Sequence, residues 1–117
     1  MFLKLNHQKL KVYQASRNFV PEYYKLTNQL PAEEGFGMNS QFRRAALSVL
    51  LKITEGASRK SELERKRYFE ISRRSIVEID AALDIANDLN YLKIINTETL
   101  GSEMLKCFKL LTGLLNK

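Results

Sequence analysis

Apolar side chains recur every three or four residues through most of the chain, and nowhere do they alternate one by one. A half-buried strand needs a period of two, so this pattern argues against sheets and for amphipathic helices with a period near 3.6. Four segments carry it, over about residues 8–30, 40–57, 62–89 and 97–115. In the first, Val12, Ser16, Phe19, Tyr23, Leu26 and Leu30 form one stripe. Pro21 lies inside the stripe and predicts a kink, Pro31 ends the helix, and "AEEGFG" reads as a loop. Asn39 is the expected N-cap of the second helix, and Gly56 weakens its last turn. The third opens on "SELE", where Ser61 and Glu64 have the spacing of a capping box. The fourth follows Asn96, with Leu100, Met104, Cys107, Phe108, Leu111 and Leu114 on one face.

Four helices with short connections predict an all-α fold, an antiparallel up-down-up-down four-helix bundle forming a single domain over 1–117. A chain of this length buries a core without disulfides or metals. No apolar run approaches the length of a membrane span, and "MFLKLNHQKL" has neither the apolar core nor the cleavage site of a signal peptide. Cys107 is the only cysteine, so no internal disulfide forms, and a reducing compartment, the cytoplasm, is expected.

The second helix carries one feature that a lone bundle does not need. Phe42, Ala46, Val49 and Ile53 fill its core stripe, which leaves Leu47, Leu50 and Leu51 on another face. A wide contact with helices one and four together is one explanation. A subunit interface is the other, and the one we favour.

Charge is distributed unevenly. The net charge is +6, and residues 43–74 hold ten basic side chains against four acidic ones, so this stretch carries the whole surplus. Residues 75–92 hold Glu78, Asp80, Asp84 and Asp88 and no base. Within the basic stretch lies "ERKRYFEISRRS", residues 64–75. At about 100° per residue, Tyr68, Ile71, Ser72, Ser75, Ile76, Ile79, Ala82, Leu83 and Ala86 share one half of the third helix, and Lys66, Arg67, Glu70, Arg73, Arg74, Asp84 and Asp88 the other. Tyr68 and Phe69 therefore turn toward the core or its edge, and base stacking on them is not expected.

Two readings of the charge stand side by side. In the first, the basic face is a solvated helix surface laced by Glu62–Lys66, Lys66–Glu70, Glu70–Arg74 and Arg74–Glu78 pairs, each worth about 0.3–0.5 kcal/mol. In the second, the surplus forms a polyanion site. Arg59, Lys60, Arg65 and Lys66 crowd the turn between helices two and three, where the free N–H groups of helix three add partial positive charge. A hairpin turning near Lys60 also brings Arg43 and Arg44 roughly level with Arg73, Arg74 and Glu78. No groove-reading motif is present, so phosphate contacts of low sequence specificity are expected.

Catalytic readings are weak. His7 reads as a surface histidine and Cys107 as a core residue. Asp80, Asp84 and Asp88 have metal-helix spacing, but the Glu-x-x-His pairs of a di-iron bundle are absent, as are phosphate loops and nucleophile motifs. No enzyme activity, metal or cofactor is expected.

The block "GMNSQFRRAALSV…ITEGASRKSELERKRYFEISRRSIVEIDAALDIANDLNYL", residues 37–92, resembles the bacterial 23S ribosomal RNA intervening-sequence proteins, and "LKVYQAS", residues 10–16, resembles that family's opening. Some of those proteins are encoded by insertions within large-subunit ribosomal RNA genes. The accessory protein of diversity-generating retroelements is a basic relative that works with a reverse transcriptase and nucleic acid. The resemblance implies a four-helix bundle and a ring-shaped homopentamer, with Arg43, Arg44, Arg59 and Arg73 at matching basic positions. This chain departs from the pattern at residues 48–54, "SVLLKIT". Leu50 stands where the family usually has proline, Lys52 where it has asparagine and Thr54 where it has alanine. Arg74 stands where glycine is usual. These changes make helix two more regular and more apolar, and helix three more basic.

The reading is thus a non-enzymatic, ring-forming helical protein that binds RNA or single-stranded DNA, alone or with a nucleic-acid-handling protein. The candidate contacts are Arg43, Arg44, Arg59, Lys60, Arg65, Lys66, Arg67, Arg73 and Arg74, with Leu47, Leu50 and Leu51 at the subunit interface. The alternative is a structural or protein-interaction module with no nucleic-acid role.

Overall fold

Ser61 sits in extended backbone at the head of the longest helix, and its Oγ accepts from the Glu64 N–H at 3.2 Å. From this cap α3 runs Glu62–Asp88. At 1.5 Å per residue its 27 residues span about 40 Å, close to the 44 Å long axis of the molecule. The computed structural model describes residues 3, 5–31 and 37–117. Besides α3 it contains a 3-10 turn, Asn6–Lys9, and helices α1 (Lys11–Asn28), α2 (Met38–Ala57) and α4 (Glu98–Leu115). Among the described residues there is no strand. Each helix packs on the next in chain order, and α4 closes back on α1. The fold is the expected up-down-up-down four-helix bundle.

Most boundaries lie within two residues of those expected, and the exceptions have physical causes. Residues 6–9 tighten into a 3-10 turn and Leu10 is extended, so α1 begins at Lys11. Pro21 is exposed, and α1 runs through it as one helix; on the solvent side a lost backbone bond is replaced by water. Asn39 is not the N-cap of α2. The helix begins at Met38 with Gly37 in the cap position, and the Asn39 Nδ2 instead donates to the Thr27 carbonyl at 3.3 Å, tying the start of α2 to the end of α1. The remainder of the expected loop, residues 32–36, lies outside the described residues. At the far end of α3, Asn90 takes φ 65°, the Tyr91 N–H reaches the Ala86 carbonyl at 3.0 Å and the Asn90 N–H reaches that of Asn87 at 2.9 Å. This left-handed C-cap turns the chain toward α4. The Asn96 Oδ1 then accepts from the Glu98 N–H at 3.0 Å.

The core is the expected set of stripes. Phe19, Tyr23, Phe42, Ala46, Val49, Ile53, Ile79, Cys107 and Leu111 are at most 1% exposed. The Tyr23 hydroxyl donates to Met104 Sδ at 2.7 Å, which joins α1 to α4 and satisfies the one polar atom of that ring. Helices α2 and α3 approach through small residues. Ser72 Oγ donates to the Val49 carbonyl at 2.8 Å, and Ser75 Oγ lies 3.3 Å from Ser48 Oγ. Gly56 belongs to this contact. A Cβ there would stand 2.9 Å from Phe69 Cε1 and 3.0 Å from Tyr68 Cβ. Sequence propensity makes Gly56 a weak point, whereas packing makes it a requirement. Gly56→Ala gains about 1 kcal/mol of helix propensity but overpacks a contact in which the Phe69 ring is buried and Tyr68 Cβ is anchored to the main chain. A net loss of about 1–2 kcal/mol is expected, read as a lower urea midpoint; a gain would show that the α2–α3 seam yields.

Candidate nucleic-acid interface

The antiparallel order gathers basic segments from different parts of the sequence at one end. The α2–α3 turn lies there, together with the start of α1 and the end of α4: Lys66 Nζ donates to the Lys117 carbonyl at 2.5 Å, and Cys107 Sγ lies 4.0 Å from the Val12 carbonyl. Residues 52–73 carry seven bases and four acids. The end of α4 adds Lys106, Lys109 and Lys117, and the start of α1 adds Lys9 and Lys11, with no acid in either segment. The opposite end is the reverse. There residues 75–105 of α3 and α4 hold Glu78, Asp80, Asp84, Asp88, Glu98 and Glu103 against Lys93, and the other two helices add Glu22 against Arg17, Lys25, Arg43 and Arg44. The bundle is therefore electrostatically polar along its axis, a property that no single stretch of sequence displays.

The basic end has two kinds of cation. Some are fixed. Arg59 lies 4.8 Å from the Tyr68 ring centroid and donates through Nη2 to the Tyr68 hydroxyl at 2.8 Å. Arg65 Nη1 donates to the Arg59 and Lys60 carbonyls at 3.0 and 2.7 Å, satisfying the turn that follows α2. Lys66 pairs with Glu62 at 3.7 Å, and Lys52 with Glu55 at 3.3 Å. Others are exposed and have no polar side-chain partner among the described residues; these are Lys60 and Arg67 at the turn and Arg74 on the outer face of α3. Of the four ion pairs expected along α3, only Glu62–Lys66 closes within 4 Å. Lys66 has turned to Lys117, and Arg74 stands in solvent.

Phe69 is buried beneath Gly56, and the Tyr68 ring is half-buried against Arg59 with Lys52 Nζ 5.7 Å from its centroid. As expected, the aromatics of "ERKRYFEISRRS" present no stacking platform. His7 is half-buried, edge-on to Tyr13 at 4.7 Å.

The structure does not join Arg43 and Arg73 to that cluster as one continuous surface. Arg43 turns to α1, where Nε donates to Thr27 Oγ1 at 2.8 Å and Nη2 to Asn28 Oδ1 at 2.6 Å, 4.9 Å from the Tyr24 ring centroid. Arg73 turns to α4, where Nε donates to Thr112 Oγ1 at 2.9 Å, 4.4 Å from the Phe108 ring centroid. These are opposite seams of the bundle. The register set by Ser75–Ser48 puts Arg44 between Glu78 and Asp80, about one and a half turns beyond Arg73. Helical spacing placed each arginine on its own helix correctly; the flanking helix decided which way it turned.

Leu47 and Leu51 are 41% and 45% exposed on the outer side of α2, while Leu50 is half-buried against the core. The second apolar face of α2 is thus not absorbed by a wide intramolecular contact.

A family model described as 23S rRNA-intervening sequence protein matches residues 8–113. The chain belongs to that family. The match extends from the 3-10 turn to the last turns of α4 and contains the α2–α3 turn and every buried core residue from Val12 to Leu111. No curated protein matches the chain. Of the basic positions that the sequence resemblance singles out, Arg59 belongs to the basic end, Arg43 to the α1–α2 seam and Arg73 to the α3–α4 seam. Among the described residues no helix is long and apolar enough to cross a membrane.

Proposed function

We propose that this intervening-sequence family member is a non-enzymatic, ring-forming protein that binds RNA through phosphate contacts at the basic end of its bundle. The axial separation of charge carries this reading. Three segments distant in sequence place uncompensated cations at one end, and the N-terminus of α3 adds its own partial charge there. Lys60 and Arg67 supply mobile cations, while Arg59 and Arg65 are held by the turn and give that end a fixed shape. Nothing in this arrangement reads base edges, so binding is general, salt-dependent and strengthened by repetition around an oligomer.

The test uses a labelled single-stranded RNA titrated at low and moderate salt. Affinity falls steeply with salt, with a slope near −0.7 per phosphate contacted. Lys60→Ala with Arg67→Ala reduces both affinity and slope, by roughly tenfold or more in affinity when the site repeats in an oligomer. Lys25→Ala with Lys93→Ala removes equal charge from the other end and changes affinity less. Equal effects from the two double variants mean that net charge acts without a site. No retention of RNA at low salt favours the other reading, a structural module, which the internally engaged Arg43, Arg59, Arg65 and Arg73 would suit.

A further inference from the structure

Two apolar surfaces lie on opposite seams of the bundle. On the α1–α2 side, Tyr24, Leu47 and Leu51 are exposed in a strip, with Val20 and Leu50 half-buried beneath it and Arg43 and Arg44 beside it. On the α3–α4 side a groove of about 630 Å³ opens between the helices. Its floor includes Leu83, Leu100 and Phe108, and its lips are Val77 and Leu105, 51% and 53% exposed. Asp80 and Asp84 line it, with no base among its lining residues. The strip is convex and flanked by arginines; the groove is concave and flanked by aspartates. The two overlap in height. The Ser75–Ser48 bond sets the α2–α3 register, which puts Leu47 level with Ile76, at the near end of the groove, and Arg44 between Glu78 and Asp80.

We propose that the α3–α4 groove receives the α1–α2 strip of a second copy of this chain, with Arg43 and Arg44 facing Asp80 and Asp84. This rests on the self-assembly part of the proposed function and specifies its geometry. The two mating surfaces differ, so the contact is head-to-tail, and it closes into a ring when the rotation per subunit allows. Opposite charges at the rim fix the register and disfavour strip-to-strip contacts, where arginines would meet arginines. The contact also leaves the basic end uncovered and repeated on one side of the assembly.

Complementation tests the pairing. Leu51→Glu spoils the strip and spares the groove; Leu105→Glu spoils the groove and spares the strip. Both positions are exposed, so each variant should keep the helical signal and melting behaviour of a folded chain. By light scattering the wild type is larger than 13.5 kDa, and each variant alone is reduced toward one chain. An equimolar mixture yields a two-chain species, because one intact groove meets one intact strip and the other two surfaces are dead. Arg44→Asp weakens assembly about tenfold or more, and adding Asp80→Arg to the same chain restores it. A monomeric wild type overturns self-assembly itself. An oligomeric wild type whose two variants fail to complement, or whose charge reversal is not rescued, overturns this pairing and leaves self-assembly standing.

Discussion

Replacing Ile79 by alanine is expected to cost roughly 2–5 kcal/mol, and Glu70→Ala to change stability by less than about 0.5 kcal/mol. Both residues lie on α3, nine positions apart. Ile79 is 1% exposed and lies in the core shared by the four helices. The core is close-packed and its neighbours are held by their own helices, so the deleted methyl and methylene groups leave a cavity that cannot collapse fully. Glu70 is exposed, and no cation lies within 4 Å of it among the described residues. A domain of this size is stable by about 5–15 kcal/mol, so the Ile79 loss is a large share of the whole. It should lower the melting temperature by about 10 °C or more. Urea denaturation at one fixed protein concentration measures both variants without the mass-action effect of assembly. Equal losses would mean that α3 is rotated from the orientation described.

Raising the pH from about 8.5 to 11 is expected to remove roughly 4 kcal/mol of stability. Two buried acids produce the effect. Burial, and secondarily the Glu103 carboxylate, push the Cys107 thiol up to about 12. Burial, and secondarily Asp80, push the Tyr23 hydroxyl well above its usual value. Both groups are protonated in the folded and unfolded chains at neutral pH, so their contribution to stability is fully present there. Above the ordinary thiol value near 9, the unfolded chain releases a proton that folded Cys107 keeps, and stability falls by about 1.4 kcal/mol per pH unit. Above the ordinary phenol value near 10, Tyr23 adds an equal slope. Urea midpoints measured across this range should therefore bend downward twice. Cys107→Ala should remove the first bend and keep the second, whatever it does to stability at neutral pH. A flat profile would show that water reaches both groups. The folded protein should also resist thiol alkylation at pH 8, since Cys107 is fully buried and protonated there.

The elements and the core follow from local arithmetic. Val12, Phe19, Tyr23 and Leu26 share a face because helical geometry puts them there, whatever lies opposite. The Ser61–Glu64 cap is likewise a relation between residues three apart. Even the buried sides of Phe69 and Ile76 follow from the wheel of α3 alone. The family resemblance was legible for a similar reason, since its motifs are short runs within α2, α3 and the turn between them.

What the tertiary structure decided is everything that depends on a neighbouring helix. Asn39 could have capped α2, but Thr27 of α1 offered its side chain a partner. Gly56 reads as a defect until Phe69 is seen above it. Glu70 could have paired with Lys66 or Arg74 along α3, yet Lys66 reaches Glu62 and Lys117 and Arg74 remains in water, because long flexible side chains choose among partners of nearly equal energy. Arg43 and Arg73 carry the same charge and look like parts of one surface in sequence; α1 draws one to its seam and α4 draws the other to the opposite seam. The same antiparallel packing that separates them gathers Lys9, Lys60, Arg67 and Lys117 at one end and leaves Asp80 and Asp84 beside an apolar groove. Helical periodicity fixes which side chains share a face of one helix, but only packing fixes which faces, and which charges, of different helices meet.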